Sequence, residues 1–187
     1  VLPGYVRNIS DFAGLPAAIN RLPDTGFAFI LIDLPGRGRS AYLGKGARYS
    51  TLADADCVLD VMAALDVPRA VLAGEGHGGQ VAMVIAARQP LAVAGTILVD
   101  SGPVTDPRGL VRARNNFRHL TALKSPSAGR AALRKIVGTD YPGESEARLD
   151  GFAQRIYAED ARGKLRPLFD SQLIAQLEQF EFVFFFF

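Results

Sequence analysis

One stretch, VLAGEGHGGQVAMVIAARQP from Val71 to Pro90, constrains the fold more than any other. An apolar run leads into a glycine-packed turn. A small-residue helical pattern follows, in which Ala82, Ala86 and Ala87 allow close approach to a sheet. Two motifs fit the turn. Gly74-Glu75-Gly76-His77-Gly78-Gly79 satisfies G-x-G-x-x-G, in which glycines let a backbone approach a pyrophosphate at a helix N-terminus. The same residues also spell a nucleophile elbow, G-x-nucleophile-x-G, with Gly76 at the nucleophile position and small residues two before and two after it. Both place the segment in a parallel α/β sheet.

The neighbouring segments fit such a sheet. Phe12, Leu15, Ile19 and Leu22 recur at helical spacing, which predicts a helix over 11–22 capped by Ser10 or Asp11. FAFILID (27–33) is a continuous apolar run ending in a carboxylate, the pattern of a strand buried on both faces; Asp33 then caps the turn LPGRGRS. Thr51 to Leu65 reads as a helix, with Leu52, Ala55, Leu59, Met62 and Ala63 on one stripe and Pro68 as its stop. RAVLAG (69–74) and VAGTILVD (93–100) are two more strands, with the helix 79–88 between them. Alternating strands and helices imply parallel pairing through crossovers.

Composition narrows the function classes. The 187 residues carry 21 basic and 19 acidic side chains, a balance that argues against nucleic acid as a partner. Cys57 is the only cysteine, so a disulfide framework and a cysteine metal cluster are both excluded, and it is expected as a buried small hydrophobe. No metal or other cofactor is expected. No run has the length of a membrane-spanning helix and no secretory leader is visible, so the default location is cytoplasmic.

Beyond Pro107 the pattern changes. Residues 108–182 show helical periodicity and no clear strand, broken at SPSAG and TDYPGES, with Arg108, Arg112, Arg114 and Arg118 on a solvated face. The expected division is a sheet domain over 1–107, a helical subdomain over 108–182 and an anomalous apolar tail over 183–187. EFVFFFF, with six phenylalanines in the last eight residues, has an aggregation-prone composition. The absence of an initiating Met and the abrupt ends lead us to expect a piece of a longer protein, with marginal stability or exposed apolar surface.

The flanks separate the two readings of the turn. FILIDLPGRGRSA resembles the D-x-P-G-x-G-x-S segment after the fourth strand of α/β-hydrolases. VLAGEGHGGQVAMVIAARQPLAVAGTILVDSGP is similar to their V-x-x-G-x-S-x-G-G…G-x-I-L-V-D-x-x-P block, apart from the serine. VLPGYVRNISDF resembles the end of their third strand and the oxyanion loop, with Pro3 replacing the usual histidine. The resemblance covers Val1 to about Val104, and continues more loosely to residue 182 as a helical cap. It implies a three-layer α/β/α sandwich with a mostly parallel sheet, incomplete here, plus that cap. It implies hydrolysis of ester or C–C/C–X bonds in a small apolar substrate.

The machinery of that reaction is a nucleophile, a histidine base, an orienting acid and an oxyanion hole. Gly76 supplies no nucleophile. Glu75 and His77 flank the apex but point elsewhere. His77 is a candidate displaced base or nucleophile; its plainer role is to line the pocket or to hydrogen-bond at the helix start. The family's late histidine is missing, and His119 is expected on the surface or in the cap core. Asp100 matches an alternative acid position used by some members, or simply ends its strand. The resemblance assigns the oxyanion donors to the backbone N–H groups of Tyr5 and His77, while Gly74, Gly78 and Gly79 complete the elbow. The expectation is a family member inactive in this chain. The alternatives are a non-catalytic module binding a small apolar carbonyl compound, and dinucleotide binding at GEGHGG.

Overall fold

The computed structural model describes the chain apart from residues 24, 25, 45, 105, 122–130, 132, 133, 137, 139–141, 160–164 and 180–187. It divides into two compact units, Val1–Val104 and Thr105–Phe187.

The first unit is a parallel sheet. β1 (Ala70–Glu75) and β2 (Val93–Val99) pair in parallel, with Leu72 beside Thr96 and Glu75 beside Val99. On the other edge of β1, Leu2 bridges Gly74: its N–H donates to the Ala73 carbonyl at 2.8 Å and its carbonyl accepts from Glu75 N–H at 3.1 Å. Val1 faces the next segment, donating to the Ile30 carbonyl at 2.6 Å and accepting from Ile32 N–H at 3.2 Å. The order across the sheet is therefore 30–32, 1–2, β1, β2, and every pairing is parallel.

Two helices cover one face. α2 (Thr51–Ala64) starts at Ser50, whose hydroxyl accepts from Ala53 N–H at 3.1 Å. α3 (His77–Arg88) leaves β1 through Gly76. Leu2, Leu34 and Leu72 pack with Ala55, Val58 and Met62 of α2 and Val81, Ala82 and Ile85 of α3 into one buried core. The register puts Val71, Ile97 and Val99 on the opposite face, where each is more than half exposed.

Four details differ from the expectations. The stripe of α2 is rotated: it buries Asp54, Ala55, Val58 and Met62 and leaves Leu52 exposed. Apolar residues outnumber the buried positions in this helix, so periodicity alone fits two faces. FAFILID forms no regular strand, and Phe27 is 61% exposed; among the described residues the run pairs through 30–32. The helix expected over 11–22 is instead a 3-10 turn (Ile9–Phe12) followed by α1 (Leu15–Ile19); Gly14 and Pro16 interrupt it, and Asn8 rather than Ser10 or Asp11 provides the cap. Cys57 is half-buried, not fully buried.

The second unit contains α4 (Pro107–Thr121), α5 (Glu146–Gln154) and α6 (Ser171–Gln179). It also contains strands where none was expected: β3 (Tyr157–Glu159) and β4 (Leu165–Pro167) pair antiparallel. Three-residue strands are too short to show a period of two. Leu149, Ile156, Phe169, Leu173 and Ile174 are buried there, and Asp170 caps α6 by accepting from Gln172 N–H at 3.0 Å. His119 is exposed on α4. The apolar tail lies outside the described residues.

Among the described residues, no helix is long and apolar enough to cross a membrane.

Candidate functional site

The turn between β1 and α3 has the backbone of an elbow. Gly76 sits at φ +52°, ψ −113°, a region L-residues rarely occupy. A Cβ placed on it would meet no atom within 4 Å. Its N–H donates to the Val99 carbonyl at 2.9 Å, and its carbonyl accepts from Gly79 and Gln80, which starts the helix.

The flanking glycines are present for a different reason. A Cβ on Gly74 would overlap the backbone of Gly78 and Gly79. One on Gly78 would collide with the Leu2 carbonyl and come within 2.8 Å of the Pro3 oxygen, and one on Gly79 would lie 2.6 Å from the Ser101 hydroxyl. The Gly78 contact presses the turn against Leu2 and Pro3, which lead into Tyr5.

Glu75 ties the same two segments together. Its carboxylate accepts from Gly4 N–H at 2.9 Å. Burial raises its pKa above the ordinary carboxylate value, opposed by Arg7 and by that hydrogen bond. Glu75 thus holds the loop that carries Tyr5.

His77 is buried, and its ring is committed. Nε2 lies 2.8 Å from Asp54 Oδ2 on α2, and the ring meets Tyr5 edge-on, with centroids 5.2 Å apart at 89°. Asp54 is also paired with Arg37, whose Nη1 is 3.1 Å from Oδ2. Arg37 is 1% exposed; its Nε donates to the Tyr5 carbonyl at 2.9 Å and its Nη1 to the Pro35 carbonyl at 2.7 Å. Its guanidinium also lies over the Tyr5 and Tyr49 rings, 5.3 and 5.6 Å from their centroids. Burial pushes the Tyr5 phenol up to about 12, while Arg37 opposes the shift. A buried ion pair survives only when its remaining donors and acceptors find partners, and here backbone carbonyls and the imidazole supply most of them.

The structure thus brings together Tyr5, Glu75, Gly76 and His77. Asp100 follows β2 directly, exposed and at φ +48°, and the carboxylate against His77 is that of Asp54. Asp33 is structural: its two oxygens accept from Ile9 N–H at 2.8 Å and Arg39 N–H at 2.9 Å. Sequence reasoning missed Arg37 and Asp54. The available signal was an acid in phase with Val58 and Met62 on α2, since an acid on a buried stripe requires a partner. Among the described residues, no group of three or more His, Cys, Asp or Glu side chains could hold a metal ion.

A family model described as alpha/beta hydrolase fold matches residues 1–120. A protein of Mycobacterium phage D29 that carries the provisional name non-heme haloperoxidase is 38% identical over 124 residues, which cover 66% of this chain and 43% of that protein. Among solved structures, an alpha/beta hydrolase from Novosphingobium aromaticivorans superposes with a TM-score of 0.81 at 26% identity, covering 94% of this chain and 60% of that one. An esterase of M. tuberculosis superposes at 0.71 and 20% identity, over 95% of this chain and 61% of its own, a likeness of fold. The chain spans less than two thirds of the length of each of these proteins.

Proposed function

This chain belongs to the alpha/beta hydrolase family, and from that premise we propose that it binds the carbonyl or carboxylate group of a small apolar molecule without forming a covalent bond at position 76. The observation that carries this reading is Gly76: the turn keeps the strained dihedrals of a nucleophile elbow, but no side chain stands at its apex. An ordinary residue at such dihedrals costs about 1–3 kcal/mol, which glycine avoids. By descent, the related activity is hydrolysis of ester or C–C/C–X bonds.

What supports binding is the backbone. His77 is the first residue of α3, so its N–H has no acceptor within the helix and points from the positive end of the helix dipole. The Tyr5 loop is pressed against the same turn through Gly78 and Glu75. Oxyanion recognition through N–H groups does not depend on side-chain identity, so it persists where the nucleophile does not. Open space at the Gly76 apex leaves room for the ligand's carbonyl carbon.

Calorimetric titration tests the reading, with phenylacetate, its amide and NAD as separate titrants. Saturable binding of phenylacetate or the amide, with both recovered chemically unchanged, is the expected result. Binding of NAD with neither of the others would overturn it in favour of a dinucleotide site at the same glycines.

A further inference from the structure

Tyr5 and His77 are 72 residues apart in sequence, and the reading above needs their backbone N–H groups at one spot. Backbone pairing at Leu2 and the Glu75–Gly4 bond join the two segments, and one buried carboxylate links the two positions as well. Asp54, on neither segment, holds the His77 ring at 2.8 Å. It also holds Arg37 at 3.1 Å, and Arg37 in turn holds the Tyr5 carbonyl at 2.9 Å. The Tyr5 and His77 rings then close the loop in edge-on contact.

We propose that Asp54 is a positioning residue: through its bonds to His77 and Arg37 it sets the spacing between the Tyr5 and His77 N–H groups that receive the ligand's oxygen. This rests on the binding reading above and adds to it a residue that never touches the ligand.

The geometry favours positioning over mere stabilisation. Ser50 caps α2 and Val58 and Met62 fill the core whether or not residue 54 is charged. An acid that served only α2 could take its partner from that helix. Asp54 instead reaches His77 directly and the Tyr5 carbonyl through Arg37, and its side chain is 2% exposed, so water does not compete for its bonds. An error of a fraction of an ångström between two donors is enough to weaken recognition of one oxygen.

The test is a phenylacetate titration of the 15N-labelled chain, read at the Tyr5 and His77 amide resonances, with the melting temperature measured on each variant. In the wild type both resonances shift and saturate together. Asp54→Asn raises Kd by about tenfold, the scale of one positioned hydrogen bond. Should Asp54→Asn not fold, His77→Phe keeps the Arg37–Asp54 pair and an aromatic ring against Tyr5 but deletes the bond to Asp54, and it shows the same weakening. His77→Gln, which retains a side-chain donor, recovers part of the affinity. An Asp54 that only stabilised the fold would lower the melting temperature and leave Kd unchanged in the folded variant, and that result overturns the proposal while the binding reading stands. Absence of any shift at the two wild-type amides overturns both.

Discussion

Within six residues the turn uses glycine in two opposite ways. Gly74, Gly78 and Gly79 are jammed: a Cβ on any of them would run into backbone or the Ser101 side chain. Gly76 is open, and only its dihedrals favour glycine. The flanking glycines are what the architecture needs, because they let α3 leave β1 sharply and bring the turn against Leu2 and Pro3. The apex glycine is not needed by packing. The backbone of an elbow thus stands here around an apex that carries no side chain.

The sharpest way to break this contrast is to add one methyl group at each kind of position. Gly78→Ala sets a Cβ against two backbone carbonyls that cannot move without disrupting the Leu2–Gly74 bridge. Its cost is expected near the extreme for single substitutions, about 4–5 kcal/mol, read as loss of a cooperative thermal transition. Asp54→Ala follows, at about 3–5 kcal/mol by denaturant unfolding, because it leaves Arg37 buried without its counter-ion. Gly76→Ala meets no atom, so only backbone strain remains: about 1–3 kcal/mol, with the chain still folded. Equal losses for Gly76→Ala and Gly78→Ala would erase the distinction.

Glu75 gives the smallest and most specific effect. Burial raises its pKa in the folded chain above the ordinary 4.5, so the folded state binds this proton more tightly than the unfolded one. The stability linked to this group is then fully present below about 4.5 and is lost as pH rises through the raised folded value. Melting temperatures taken across that window should fall for the wild type and fall less for Glu75→Gln. A fall of the same size in both would remove Glu75 as its source.

Much of this was legible in the residues. VLAGEGHGG and DLPGRGRS locate the turn and its sheet, because glycine spacing in a tight strand-to-helix connection is dictated by sterics and survives in any single sequence. The open apex at Gly76 followed from the same spacing. The buried Asp54–Arg37–His77 cluster did not, because its members stand far apart in the chain and each alone looks like an ordinary surface charge or helix-start histidine. The hairpin of β3 and β4 escaped for another reason: six paired residues carry too little periodicity to register. FAFILID differs in the other direction: an apolar run marks the capacity to pair on both sides, and among the described residues it pairs through 30–32.

An elbow with glycine at its apex should bind without covalent chemistry. This is tested most directly by release of p-nitrophenolate from p-nitrophenyl butyrate, followed for the wild type and for His77→Ala. No release above the buffer rate is expected in either. Turnover by the wild type that disappears in His77→Ala would contradict it, by making the His77–Asp54 pair a working base beside the empty apex.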